Sequence, residues 1–112
     1  MNERDEVRLR DMLDEARQAQ KFIAGKTSDD LHNDAMLSYA VIRAVELIGE
    51  AASKVTVETR EQVPQIQWQN IIGTRNRIIH DYKNVDLSIV WQIVTRNLPP
   101  LIEQLEKIVP LS

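Results

Sequence analysis

The sequence predicts an all-α protein, folded as one domain over residues 1–112 into an antiparallel bundle of four or five helices. Three observations lead to this fold class. Apolar residues recur at steps of three and four along most of the chain, which is the period of a helix with one buried face. Only three glycines and four prolines interrupt the chain. No segment alternates with the period of two that marks a strand.

Two helices are predicted in the first half of the chain. The first covers about residues 4–24 and ends at Gly25, a residue type that often closes helices. Thr27 or Ser28 then caps a second, longer helix. Apolar side chains wrap more than half of its circumference, so we expect it to be the central element. Small residues near its end, beginning with Gly49, predict that another helix packs closely against it.

The second half of the chain holds the remaining helices. A short helix is expected between residues 55 and 67, and a third main helix covers about residues 67–82. Asp86 caps the last helical segment. Pro99 and Pro100 interrupt that segment, so either one kinked helix or two successive helices are expected.

Composition narrows the range of functions. The chain has no cysteine, and its two histidines, His32 and His80, lie far apart in the sequence, so no metal site and no cofactor are expected. His32 is interpreted as a surface residue. The net charge of −3 argues against a protein that coats duplex DNA, although a local basic cleft stays compatible with it. Neither a membrane span nor a secretory signal is recognised, so we expect a cytoplasmic protein.

One short stretch carries side chains suited to phosphodiester chemistry. Arg75 and Asn76 are followed by His80 and Tyr82. Histidine can accept and donate protons near neutral pH, and arginine presents a planar set of donors to phosphate oxygens. Arg77 lies beside them as a further cation. The alternative is structural: His80 as a solvated or capping residue at a helix end, Tyr82 as a residue that closes the core, and Arg77 as a solvated charge.

On an ideal helix these side chains do not all share a face. Asn76 and His80 are four residues apart and lie together. Arg75 instead falls in a stripe of isoleucines, where a charge must be paired or must reach water or phosphate. Glu46 and Glu50 are candidate partners for it. The cluster therefore needs a long arginine that reaches round, a distorted helix end, or a second chain, and we favour the second chain.

The same residues resemble a known signature. Arg75-Asn76, His80 and Tyr82 look like the R-N-x3-H-x-Y motif of the HEPN superfamily, in its HepT-like branch. The resemblance extends to the central-helix stretch VIRAVELIGEAA, to the stretch WQNIIGTRNR that leads into the motif, and to the DLSIVW and LP residues that follow it. It covers nearly the whole chain.

The resemblance implies a helical homodimer that acts as the toxin of a HEPN/MNT toxin–antitoxin module. Such toxins are metal-independent endoribonucleases whose two signatures face each other across a dimer cleft. By residue, Arg75 and His80 would be the catalytic pair, with Asn76 as the supporting polar group and Arg77 and Tyr82 as further RNA contacts. The partner would be an MNT-type nucleotidyltransferase antitoxin that transfers AMP onto Tyr82. The alternative is a non-catalytic helical dimer that binds such a nucleotidyltransferase, or a nucleotide, through the same cleft.

Overall fold

The computed structural model of the chain describes residues 1–109, apart from the side chain of Tyr82. These residues are almost entirely helical and contain no strand, which confirms the all-α prediction. The α-helices are α1 (Glu3–Ile23), α2 (Ser28–Asn33), α3 (Ala35–Ser53), α4 (Val57–Gln62), α5 (Trp68–His80), α6 (Leu87–Gln92) and α7 (Leu98–Ile108). A short 3-10 helix (Tyr82–Asn84) follows α5, and a π-helical turn (Ile93–Asn97) joins α6 to α7. No helix among residues 1–109 is both long and apolar enough to span a membrane.

Helix α1 forms as predicted. The Asn2 side chain caps it by accepting a 2.7 Å hydrogen bond from the Asp5 backbone N–H. Leu9 and Met12 of its apolar stripe are fully buried. The chain leaves the helix at Gly25, whose φ of +73° lies in the left-handed region that glycine adopts without a steric penalty.

The second helix was predicted as one continuous element, and this prediction is wrong because two helices, α2 and α3, form instead. Thr27 does cap its start, and Asp30 completes a reciprocal capping box with it. The helix ends six residues later, because Asp34 adopts an extended conformation and its carboxylate accepts the Leu37 backbone N–H at 3.1 Å. Asp34 thereby becomes the cap of α3, since a short carboxylate side chain stabilises a new helix start better than it stabilises a helix interior.

Helix α3 is the central element, as expected, because it packs against both α1 and α5. Its approach to α5 is very close at Gly49. A Cβ atom placed there would overlap the Cβ of Arg75 and lie 3.1 Å from the Ile71 carbonyl oxygen. The predicted close approach at the small residues is therefore confirmed at Gly49. This contact fixes where the backbone of α5, and with it Arg75, lies on the core.

The final helical segment passes through a π turn rather than ending at the prolines. The Leu98 N–H donates to the Ile93 carbonyl, a step of five residues. Pro99 and Pro100 have no N–H to donate to the preceding turn, so the wider turn accommodates them at the start of α7. Asp86 caps α6, as predicted, by accepting the Ser88 backbone N–H at 2.9 Å.

A buried carboxylate ties the start of the chain to its middle. Asp5 is 1% exposed and accepts hydrogen bonds from the Thr56 N–H at 3.0 Å, from the Thr56 hydroxyl at 2.6 Å and from the Thr59 hydroxyl. Burial acts to raise the pKa of Asp5, but these hydrogen bonds outweigh it and hold the pKa below its ordinary value. Nearby, Arg60 caps the end of α3 by donating to the carbonyls of residues 52, 53 and 55.

Candidate functional site

Helix α5 carries most of the predicted signature and is anchored at its start. The Trp68 side chain is buried, and its indole N–H donates to the Val63 carbonyl at 3.1 Å. Ile78 is buried nearer the other end. The helix contains Arg75 and Arg77 and no carboxylate, so it is a locally basic element of an acidic chain.

Arg75 lies half-buried against α3, in the stripe where the sequence places it. One terminal nitrogen, Nη1, donates to the Asn76 side-chain oxygen at 3.1 Å. Its Nε atom is buried and has no hydrogen-bond partner among the described residues. The predicted pairing with Glu46 and Glu50 is not formed. These carboxylates pair instead with basic residues of their own helix, at 3.5 Å to Arg43 and 3.6 Å to Lys54.

Asn76, Arg77 and His80 are all exposed on the solvent side of α5. Asn76 and His80 are one turn apart and share a face. The side chain of His80 makes no hydrogen bond or ion pair with any described residue, so both ring nitrogens stay available to a ligand. The chain therefore presents an imidazole, an amide and the end of a guanidinium at the last turns of one helix.

The helix ends two residues earlier than predicted. His80 is its last residue, and the Asp81 N–H closes it by donating to the Arg77 carbonyl at 3.1 Å. The exposed Asp81 carboxylate accepts a 3.0 Å hydrogen bond from the Asn84 side chain. Tyr82 begins the 3-10 helix. Its side chain lies outside the described residues, so the roles predicted for it stay predictions.

Apolar groups and open space lie next to the polar cluster. Ile79 is 42% exposed, which is high for an isoleucine next to a core, and Ile72 of the same face is half-buried. No atom lies within 4 Å of where a Cβ would stand on Gly73. Such a group of apolar side chains beside polar ones is typical of a surface that another molecule covers.

A cavity of about 290 Å³ lies on the other side of α5, between that helix, the loop before it, the π turn and α7. The sequence reading did not anticipate it, because its polar residues come from segments that are distant in sequence. It is lined by Val45, Ile48, Gln65, Ile66, Gln67, Asn70, Ile71, Thr74, Ile93, Arg96, Asn97, Leu98, Pro100, Leu101 and Gln104.

The second histidine has a structural position. One ring nitrogen of His32 lies 2.8 Å from the Ser28 carbonyl oxygen, and the other lies 3.4 Å from the Ser88 hydroxyl. It is exposed, as predicted, and joins α2 to α6. Within residues 1–109, no three histidine or carboxylate side chains come together as a metal site.

Comparison with known proteins decides the family. A family model described as "HepT-like: Ribonuclease HepT-like" matches residues 12–108. The chain belongs to the HepT-like family. This confirms the resemblance drawn from the Arg75, Asn76 and His80 spacing and from the stretches around it.

Individual relatives of this HepT-like protein bear related names. A protein of Methanocaldococcus jannaschii named "Putative RNase MJ1380" is 35% identical over 95% of this chain and 98% of its own length. "Probable ribonuclease HepT" of Thermococcus cleftensis is 30% identical over 89% of this chain and 91% of its own. "Putative RNase TTE0752" of Caldanaerobacter subterraneus subsp. tengcongensis is 33% identical over 77% of each chain. No solved structure gives a significant match.

Proposed function

We propose that this HepT-like chain is a metal-independent endoribonuclease that acts as the toxin of a HEPN/MNT toxin–antitoxin module. One observation carries the proposal. A chain of a family described as ribonucleases carries Asn76 and His80 on one exposed face near the end of a basic helix, with the half-buried Arg75 hydrogen-bonded to Asn76. The names of the relatives give the same activity class.

The chemistry follows from these three side chains. The 2′-hydroxyl of the RNA attacks the adjacent phosphorus, and the bond to the 5′-oxygen of the next nucleotide breaks. His80 assists the proton transfers that this exchange requires, a contribution of typically 10²–10⁴-fold. Arg75 stabilises the charge that builds up on the phosphate oxygens. Asn76 holds the Arg75 guanidinium in place through their 3.1 Å hydrogen bond. The products carry a 2′,3′-cyclic phosphate and a 5′-hydroxyl.

A second copy of the chain would complete the site. A single α5 helix offers only a convex surface, whereas two copies that meet through Ile79 and the open space at Gly73 would enclose a groove.

The antitoxin would act at the residue next to this groove. Tyr82 follows the end of α5 by two positions. Transfer of AMP onto its hydroxyl would add negative charge and bulk at the mouth of the site, and both would oppose an RNA backbone. The exposed Asp81 carboxylate already places one negative charge there.

Cleavage of RNA by the purified chain in EDTA tests the activity. We expect wild type to cleave and His80→Ala to lose at least a hundredfold in rate. His32→Gln is the matched control, because it removes the chain's other histidine away from the site. A 2′-deoxy substitution at the cleaved nucleotide should block the reaction. Equal cleavage by wild type and His80→Ala, or cleavage that EDTA abolishes, would rule this function out.

Mass spectrometry tests the proposed inhibition. After co-expression with an MNT-type nucleotidyltransferase, we expect the peptide that contains Tyr82 to gain the mass of an AMP group and the purified toxin to lose its cleavage activity. Tyr82→Phe should stay unmodified and escape inhibition by modification. A toxin that is neutralised while Tyr82 stays unmodified would show inhibition by sequestration instead.

The second candidate is a non-catalytic dimer that binds a nucleotidyltransferase or a nucleotide through the same groove. The exposed Asp81 beside the site and the net charge of −3 favour it, because both disfavour RNA. It predicts tight binding to the partner, no RNA cleavage and no growth arrest when the chain is expressed alone.

A further inference from the structure

The cavity behind α5 has two distinct kinds of wall. Its inner part is apolar and includes Ile66, Ile71 and Leu101. Its rim carries the side-chain amides of Asn70 and Gln104, among others. An apolar slot with a few polar groups at its edge is the usual form of a site for a small organic group.

The size and chemistry of the cavity favour a nucleobase as its occupant. A volume of about 290 Å³ is at the lower end for ligand sites and suits one planar ring system. A base has apolar faces for the inner walls and a polar edge that the amides can hydrogen-bond, since an amide offers both donors and acceptors. An aliphatic side chain of a partner protein would leave these amides unused, and a free anion would leave the apolar walls unused.

Arg96 adds a charge at the rim. It extends from the π turn, it is exposed, and it forms no hydrogen bond or ion pair with any residue that the structure describes. An arginine in this position is free to contact a phosphate that enters with a base. The π turn itself, which aims Arg96 and Asn97 at the cavity, is a feature often found at functional sites.

The cavity and the proposed catalytic cluster are connected across one helix surface. At 100° per residue, Asn70 and Thr74 lie on the cavity side of α5, and His80 lies about a third of a turn away. The half-buried Gly73 and the exposed Arg77 occupy the surface between them. Because Gly73 has no side chain, the surface of α5 is low there and an RNA strand can cross it. The exposed Arg77 beside it can pair with a phosphate. A mid-helix glycine costs about 1 kcal/mol, and no contact within the described chain requires it.

We propose that this cavity is a base-binding subsite for the RNA substrate. An unpaired base inserts between α5 and the π turn, while the strand passes over Gly73 towards His80. The subsite makes the enzyme select single-stranded RNA, because a paired base cannot leave its helix to enter the cavity without a cost in pairing and stacking. The inference rests on the proposed ribonuclease function and adds a specificity site to it.

Binding measurements in the cleavage-deficient His80→Ala background test the subsite separately from catalysis. Fluorescence anisotropy with a short single-stranded RNA gives the affinity. Asn97→Leu and Gln104→Leu remove amides from the cavity with little change in side-chain size, and Arg96→Gln removes its charge. Each should weaken binding by roughly tenfold, in the range found when one base contact is lost. Gln92→Leu and Arg4→Gln are exposed controls outside the cavity and should bind as the background does.

An RNA with a single abasic nucleotide, moved along the strand, identifies the inserted base. At one position the abasic RNA should bind about tenfold more weakly, and Gln104→Leu should then cause no further loss, because both changes remove the same contact. Arg96→Gln keeps the test valid if the leucine variants do not fold, since the Arg96 side chain is exposed.

The subsite proposal would be overturned if the cavity variants bound RNA as tightly as their controls. It would also be overturned if the loss of affinity caused by Gln104→Leu added fully to the loss caused by the abasic nucleotide. Failure of the ribonuclease proposal is a separate result, because it would appear as equal cleavage by wild type and His80→Ala. RNA binding in the His80→Ala background does not depend on that outcome.

Discussion

Asp5 is a single residue on which the packing of the first helix depends. Its carboxylate lies in the interior and accepts hydrogen bonds from two threonines of another helix start. Thr56 has a further role as the cap of α4, where its hydroxyl accepts the Thr59 backbone N–H. A charge is tolerated here because each of its oxygens has donors, which offsets the cost of taking it out of water.

Replacing Asp5 should give a stability loss that depends on pH. The pKa of Asp5 is lowered in the folded state, so its contribution is present above the ordinary carboxyl pKa of about 4 and is lost as the pH falls through the lowered value. At neutral pH we expect Asp5→Asn to reduce the free energy of unfolding by about 1–3 kcal/mol. Urea unfolding at a series of pH values should show this gap closing in acid.

The exposed Asp14 provides the control for that series. Asp14→Asn lies on the same helix and changes the charge equally, but it removes no buried hydrogen bond. It should leave the free energy of unfolding nearly unchanged at every pH. A gap for Asp5→Asn that stays constant down to strong acid would contradict the lowered pKa.

At the residue scale, the sequence predicts the position of a side chain on its helix better than it predicts the residues that the side chain contacts. Periodicity placed Arg75 in the isoleucine stripe, and it is indeed half-buried there. The glutamates chosen as its partners bind nearer cations of their own helix, because an i to i+3 or i+4 pair needs no tertiary fit. Asp5 was missed altogether, since its donors lie more than 50 residues away in sequence and no local pattern links them.

At the element scale, one glycine sets the distance between α3 and α5. Gly49 lets the backbone of α5 lie against α3, with the Cβ and Cγ of Arg75 directly over it. The proposed catalytic arginine is therefore positioned by a residue of another helix. Any change in the separation of these two helices moves the guanidinium.

Gly49→Ala should destabilise the fold and impair cleavage together. The added methyl group would overlap Arg75 and crowd a backbone carbonyl that cannot move alone. We expect a loss of about 1–3 kcal/mol from overpacking, only partly offset by the better helix propensity of alanine, about 1 kcal/mol. Chemical unfolding measures the first effect, and RNA cleavage measures the second.

Gly73→Ala is the matched control for helix propensity. Its added methyl group meets nothing within 4 Å among the described residues, so stability should stay equal or rise. If Gly49→Ala proved as stable as Gly73→Ala, the close approach of α5 to α3 would be wrong.

The two backbone features that the sequence did not predict share a physical cause. The break at Asp34 and the π turn before Pro99 both lie inside stretches whose apolar periodicity continues across them. Apolar periodicity indicates which face of a helix is buried. It does not indicate whether each backbone N–H donates to the carbonyl four residues earlier. The ends that were predicted well, at Gly25 and Asp86, carry residues that fix the local backbone themselves.

At the scale of the whole molecule, we expect the chain to pair through the exposed face of α5. Ile79→Asp should weaken self-association by at least tenfold, because it places a charge in an apolar contact. Sedimentation equilibrium measures the dimer dissociation constant. Ile89→Asp is the matched control, since Ile89 is comparably exposed on α6. A wild-type chain that stays monomeric, or equal effects of both changes, would argue against this interface.

The all-α class and the family were within reach of the sequence, but the arrangement of the site was not. Helical periodicity and an eight-residue signature sufficed for the all-α class and the HepT-like membership. The cavity behind α5 depends on how α7 lies across α5, which side-chain spacing within one helix does not determine.

The distribution of charge affects how the proposed ribonuclease would approach and release RNA. Helix α5 carries two guanidinium groups and no carboxylate, although the chain as a whole has a charge of −3. The charge of α5 therefore attracts a polyanion locally, whereas the net charge of the chain repels it. Each phosphate neutralised on a single strand lowers the slope of log K against log salt concentration by about 0.7. Because α5 can neutralise only a few phosphates, RNA affinity should fall only gently as the ionic strength rises. If the chain is the proposed ribonuclease, cleaved fragments should leave readily, and product release should not limit turnover.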